Sequence, residues 1–347
     1  MINILVTGDY DPGYNRTKII LDGLLSRSDV QVMEYPFSRN NRFSPERFRS
    51  LSDKADVVFL PSFTHSSVLV ARRHTNKPIA FDPLISRYLT KVFDYKLVWK
   101  YSPRALKNYL KDKRALKASD IIFADTHSHK HYYCKTFNIP PEKVKVLHIG
   151  ANTSEFKPEG NDKLSGEDFI VGFYGGFIPL QGVKNIVKAA QLLTSYKTVK
   201  VELIGNGFEF DAIKKYIESK NIENVCLKGW KPYEELAGFI NNWKVCLGVF
   251  GATKKAGLVI PNKIYHYAAM GKATITKNTE AISEVFSDGE TIVLCSGEPE
   301  EIAARILDLY RNNNKRVDIG NRAEKLIRNG YDHHSIARKF LEAVRVL

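Results

Sequence analysis

A chain of 347 residues is long for one hydrophobic core and suits two domains of roughly 150–180 residues. Hydrophobic residues make up 44% and charged residues 26%, with no apolar run near the roughly 20 residues that span a bilayer. The opening MINILVTGDYDPG lacks the basic region and cleavage site of a secretory leader, so the expected location is cytoplasmic. The net charge of +14 asks for an anionic partner: a nucleotide, an acidic membrane surface or nucleic acid.

Strand-like runs come first at INILVT (2–7), VQVMEY (30–35), ADVVFLP (55–61), PIAF (78–81), DIIFA (120–124) and VKVL (144–147), with helical patterns between most of them. That alternation predicts a mainly parallel sheet. The first run ends in GDYDPGYNRTK, where Gly8 and Gly13 permit a tight turn before a helix whose amino end attracts anions. Asp9 and Asp11 have a spacing that can hold Mg²⁺ or Mn²⁺, and turn-forming aspartates explain them as well. Neither a G-x-G-x-x-G turn nor an acid closing the second strand is present, which argues against a dinucleotide cofactor. Residues 87–117 hold ten Lys or Arg against two acids, interleaved with Tyr88, Phe93, Tyr95, Trp99, Tyr101 and Tyr109. This fits a segment lying on anionic headgroups, and a solvated basic helix face fits the same composition; nucleic acid is not expected. His127, His129 and His131 invite a metal, yet Ser128 reads as a helix cap and no further ligand is evident. The cysteines (Cys134, Cys226, Cys246, Cys295) are scattered without a C-x-x-C pair and read as reduced thiols.

Residues 151–168, ANTSEFKPEGNDKLSGED, have the composition of an interdomain linker. The alternation then restarts at FIVGFYG (169–175), VKVELIG (199–205), VCLKG (225–229), VCLGVF (245–250), ATIT (273–276) and TIVLC (291–295), and the last fifty residues look helical. From Phe250 to Glu284 the chain reads FGATKKAGLVIPNKIYHYAAMGKATITKNTEAISE. Pro261 suits a helix's first turn, and Lys254, Lys255 and Lys263 around that helix start would suit a diphosphate, unless they are plain surface charge.

With its I-P-N-K followed by A-M-G-K, the chain resembles the family 4 retaining glycosyltransferases of the GT-B fold over nearly its whole length. HIGANTSEFKP (148–158) is similar to that group's domain junction, and FYGGFIPLQGVKNIVKAAQLL (173–193) to the first strand and helix of its donor domain. LIGNG (203–207) and GWKPYEEL (229–236) are similar to the strand ends around the nucleotide, and DIIFADTHSH (120–129) to the last core strand of the acceptor domain. The resemblance implies two Rossmann-like domains facing across a cleft. Residues 1–155 with a returning helix at 331–347 would form the acceptor side, and residues 156–330 the donor side. It further implies retaining transfer from a UDP-sugar or GDP-sugar to a glycan or lipid-linked acceptor. No metal or permanently bound cofactor is expected, and the protein would work in the cytoplasm or at the inner face of the membrane.

On the same ground the donor would be held by Gly13, Gly176, Gly205, Trp230, Lys231, Asn262, Lys263, His266 and Glu284. Lys263 and Lys255 would stabilise the departing diphosphate, and Asp82 would hydrogen-bond the transferred sugar. Asp125 and Thr126 would sit on the acceptor side, and His333 and His334 would be structural. The chain departs from the family at Phe177 and Gln181, where a basic G-R-x-x-x-K-G pattern is usual, and at Leu258 and His266, where a Glu pair is usual. Those departures imply a different grip on the donor, with His266 or a neighbour on the ribose, or a sugar-nucleotide-binding protein without catalysis.

Overall fold

The β-branched runs and the amphipathic stretches between them fold as two units in the computed structural model, which describes residues 1–38, 42–159 and 168–346. One unit holds Met1–Gly150 together with the residues from His333 onward, and the other holds Ala151–Asp332.

In the first unit the elements are β1 (Ile2–Gly8), α1 (Asn15–Leu25), β2 (Val30–Pro36), α2 (Pro45–Lys54), β3 (Val57–Leu60), α3 (His65–Arg72), β4 (Ile79–Phe81), α4 (Pro103–Ala118), β5 (Ile121–Ala124), α5 (His127–Phe137) and β6 (Val144–Val146). The second unit runs β7 (Phe169–Tyr174), α6 (Val183–Leu192), β8 (Val199–Ile204), α7 (Phe210–Ser219), β9 (Val225–Gly229), α8 (Leu236–Asn242), β10 (Val245–Leu247), α9 (Asn262–Ala269), β11 (Ala273–Lys277), α10 (Glu280–Ser283), β12 (Val293–Cys295), α11 (Pro299–Arg311) and α12 (Asn313–Gly330). The last helix, α13 (His333–Val344), belongs to the first unit.

Each unit has one six-stranded sheet, in the orders β2-β1-β3-β4-β5-β6 and β12-β11-β10-β7-β8-β9. Their strands pair in parallel, so every connection must cross over a face, and the helices do so. Strands covered on both faces need apolar runs rather than alternation, which is why INILV and VVFL are almost continuous; Ile4, Leu5 and Val6 are wholly buried. In both sheets the first strand is flanked by chain that leaves in opposite directions: β1 lies between β2 and β3, and β7 between β8 and β10. The crevice beyond the carboxyl end of such a strand is where parallel sheets bind ligands.

Helix α13 is seated by composition. Gly23 of α1 has no Cβ, and one there would overlap the His333 carbonyl. The close approach lets Phe340 lie between Phe59 and Phe123, at ring distances of 4.8 and 5.0 Å. His334 Nδ1 sits 3.0 Å from the Ser26 hydroxyl, so the His333 backbone and the His334 ring both meet the α1 end of the contact.

The expected linker is corrected in its first half. Residues 151–159 are packed into the second unit: the Ala151 N–H donates to the Tyr331 carbonyl, and Phe156 is buried against the His266 ring. Its other half, residues 160–167, lies outside the described residues.

Candidate active site

In the first unit the predicted residues follow strand ends, where they are occupied by neighbours. Gly13 is exposed in the turn after β1, its N–H donating to Asp11 Oδ1 at 2.9 Å, so Asp11 is a turn former. Asp82, one residue past β4, is buried in an ion pair: Arg16 Nε donates to its Oδ2 at 2.7 Å, and the Leu84 N–H donates to its Oδ1. Arg16 is itself fully buried and gives a second hydrogen bond to the His148 carbonyl. Asp82, expected to meet a sugar hydroxyl, thus has one oxygen on Arg16 and the other on the chain turn. Asp125, after β5, holds His129 Nδ1 at 2.5 Å. Thr126, rather than Ser128, caps α5, its hydroxyl accepting from the His129 N–H. The three histidines are thus split, His129 buried on Asp125 and the other two exposed.

In the second unit the ends of β7, β8 and β9 enclose a pocket of about 390 Å³ lined by Tyr174, Gly175, Gly176, Ile204, Gly205, Asn206, Trp230, Lys231, Tyr233 and Leu236. Two glycines make the floor. Gly205 has φ +138°, and a side chain there would overlap the Gly175 carbonyl; Gly175 has φ +148°. Only glycine combines those angles with that approach. Four predicted residues meet here: Gly176, Gly205, Trp230 and Lys231.

Lys263 lies directly under this floor. Its ammonium sits 2.5 Å from where a Cβ on Gly175 would be, so the glycine makes room for it. The side chain is 3% exposed, with Nζ donating to Gln181 Oε1 at 2.6 Å and lying 3.7 Å from the centre of the Phe173 ring. Burial pushes its pKa well below the ordinary 10.5, with no carboxylate among the described residues pulling it back. Gln181, read from sequence as a departure, is therefore the residue that aims Lys263. Helix α9 starts at Asn262 with Pro261 as its cap, one position later than expected. A half-buried Asn262 opens that helix, and Lys255 is buried on a 3-10 turn (Lys255–Gly257) in the loop after β10.

His266 does not face the pocket. It is stacked on Phe156 at 3.7 Å and 16°, and its Nδ1 lies 2.6 Å from the Tyr174 hydroxyl. Burial lowers its pKa to about 3, so the imidazole is neutral. Its ring stands behind Tyr174, which lines the pocket. Glu284 is half-buried at the carboxyl end of the four-residue α10.

Residues 156–326 match the family model described as Glycosyl transferases group 1. The match to group 1 glycosyl transferases therefore falls within the second unit. Two uncharacterized glycosyltransferases of Methanocaldococcus jannaschii are each 24% identical, over 66% and 62% of this chain. The chain spans 59% and 58% of the length of those curated relatives. Among solved structures, Anabaena HepE in complex with UDP and glucose matches all of both chains with a TM-score of 0.77 at 14% identity. The sucrose-phosphate synthase of Thermosynechococcus elongatus gives 0.77 at 13% over 100% of this chain and 99% of its own. Together with the two parallel sheets, these likenesses establish a two-domain GT-B fold.

Within the second unit, sequence reasoning missed Tyr174, Asn206 and Tyr233 as pocket wall. A signal was present for each: Tyr174 and Asn206 flank the glycines that end β7 and β8, and Tyr233 lies three residues beyond Trp230. The pairing of Lys263 with Gln181 leaves no such trace, because 82 residues separate them.

Proposed function

We propose that the chain is a retaining, metal-independent glycosyltransferase, taking a sugar from a UDP- or GDP-sugar held by residues 156–330 and passing it to a glycan or lipid-linked acceptor at residues 1–155. The supporting observation is Lys263, a buried lysine beside the strand-end glycines of the pocket, with no carboxylate on it among the described residues. A buried charge of this kind costs several kcal/mol unless an opposite charge joins it. A diphosphate over Gly175 and Gly176 would complete that pair. Tyr174 and Trp230 offer apolar walls for the nucleoside, and Lys231 and Asn206 its polar contacts. HepE, the same fold, has been crystallised with UDP and with UDP-glucose.

In this reading the chemistry is electrostatic. As the sugar–phosphate bond breaks, negative charge grows on the departing diphosphate, and a fixed ammonium in a site of low dielectric stabilises it more there than water would. Lys255 and the first N–H groups of α9, at Asn262 and Lys263, would add to the same field. Asp82 would serve by holding Arg16, while Asp125 and Thr126 border the acceptor. Glu284 keeps its assignment to the donor sugar. The work would be done in the cytoplasm, at the inner membrane face where the acceptor is lipid-linked.

Titration calorimetry with UDP, UDP-glucose and GDP tests this on the wild type and Lys263→Met. The variant should lose about 1.5–3 kcal/mol of nucleotide affinity, the worth of a hydrogen bond to a charged group. Equal affinity in the two proteins sinks the proposal. Nucleotide binding without sugar transfer or hydrolysis would instead favour a binding protein, the reading that the residues Leu258 and His266 at the usual Glu positions support.

A further inference from the structure

Residues 87–117 carry ten basic residues and two acids, and the structure separates the two kinds. Asp94 and Asp112 are each 1% exposed, Asp112 accepting from the Ser86 hydroxyl and the Tyr88 N–H. Every charge this segment shows to water is therefore positive.

Its aromatic residues are also sorted. Phe93 and Tyr109 each pack edge-on against Tyr88, at 5.4 and 5.6 Å, and all three are half-buried. Leu97, Trp99, Tyr101 and Leu106 instead stand 64%, 71%, 73% and 57% exposed. Lys96, Lys100, Arg104 and Lys107 alternate with them along the chain, all exposed. This knob is a built structure. The rings of Trp99 and Tyr101 meet edge-on at 5.4 Å, and Lys100 lies over the Tyr101 ring. Ser102, the cap of α4, ties the loop by donating both its hydroxyl and its N–H to the Trp99 carbonyl.

We propose that the surface made by residues 96–107 docks on an anionic lipid bilayer. Leu97, Trp99 and Tyr101 enter the headgroup level, and Lys96, Lys100, Arg104 and Lys107 meet lipid phosphates. The loop and the first turn of α4 do the inserting; the rest of α4 keeps Ala105, Ala115 and Leu116 buried in its own unit. Charge complementarity selects the occupant. A second copy of a +14 chain would bring the same cations face to face. Nucleic acid would use the cations and the rings, but it has no use for Leu97 and Leu106. The contact is peripheral, since among the described residues no helix is long and apolar enough to cross a membrane. It deepens the lipid-linked acceptor reading while resting on surface residues distant in sequence from the nucleotide pocket.

Co-sedimentation of the full chain with vesicles provides the test. Binding is expected to an equal mixture of phosphatidylcholine and phosphatidylglycerol, to fall with salt, and to be absent on phosphatidylcholine alone. Lys100→Glu with Arg104→Glu, and separately Trp99→Ala with Tyr101→Ala, should each weaken it on the order of tenfold. Brominated lipid should quench the wild-type fluorescence, and Trp99→Phe should bind as well while losing that quenching. UDP affinity should be unchanged in all of these variants, so failure here is distinguishable from failure of the donor site. The inference is overturned if anionic vesicles are not preferred or if the double variants bind like wild type. It also falls if the patch variants abolish binding of an oligonucleotide but not of vesicles, or if they turn a dimer into a monomer by light scattering.

Discussion

Asp82 and Lys263 are both charged and both buried, and they differ in company. Asp82 has a full ionic partner in Arg16, so its job is met within the folded chain. Breaking such a pair leaves a buried charge alone. Asp82→Ala should therefore cost about 3–5 kcal/mol of stability in urea denaturation, and the Arg16→Met, Asp82→Leu double variant much less. Lys263 is the reverse case: it has a neutral partner, and removing its charge relieves a desolvation cost. Lys263→Met should unfold at an equal or higher temperature than wild type even as nucleotide binding fails, the trade expected of a residue kept for function. His266 gives a pH dependence. Its folded pKa of about 3 lies below the ordinary 6.5, so the unfolded chain takes up the proton first. Stability from this group is complete above pH 6.5 and is lost as pH falls towards 3. Near pH 5 the wild type should lose about 1.4 kcal/mol per pH unit more than His266→Gln, measured by urea denaturation across pH. The basic residues of the donor region were legible one by one. Their partners were not, because Lys263 and Gln181 are 82 residues apart and a sequence prints no distances.

At the scale of elements, the twelve strand-like runs all became strands, since a parallel strand buried on both faces announces itself as a β-branched apolar run. Ends were less legible. Ser128 and Thr126 both suit a helix cap by residue type, and the choice went to Thr126 because its backbone leaves β5 already extended, at φ −147° and ψ 162°. The basic segment was legible in composition and not in form: it folds as a π-helical turn (Leu89–Asp94), an exposed loop and α4, with its acids turned inward. The glycines ending β7 and β8 carry the prediction that belongs here. Gly205→Ala forces a side chain into a positive-φ position and against Gly175, so the two strand ends must part. Strain of this kind costs on the order of 1–3 kcal/mol, and nucleotide binding by calorimetry should fall together with the melting temperature.

For the whole molecule, alternation of strand and helix was enough to read two parallel sheets. Composition misled at the junction, where a polar, glycine-rich stretch looked like free linker. Phe156 is the reason: one aromatic residue in that stretch is buried on His266 and draws its neighbours into the second unit. The returning helix was read from resemblance, and Gly23 supplies its physical cause. Ending the chain after Asp332 would uncover Phe59 and Phe123, against which Phe340 packs. Hydrogen exchange on such a protein should show faster uptake in β3 and β5 and no change in β7, β8 and β10.

The seating of α13 also sets an order of events on the ribosome. Everything from Ala151 to Asp332 must be translated before the last piece of the first unit exists, a delay of roughly ten to forty seconds at common elongation rates. The first-made half therefore waits with an open greasy slot beside α1, and the later-made half completes first. A nascent chain stalled before residue 333 is the species a chaperone should be found holding.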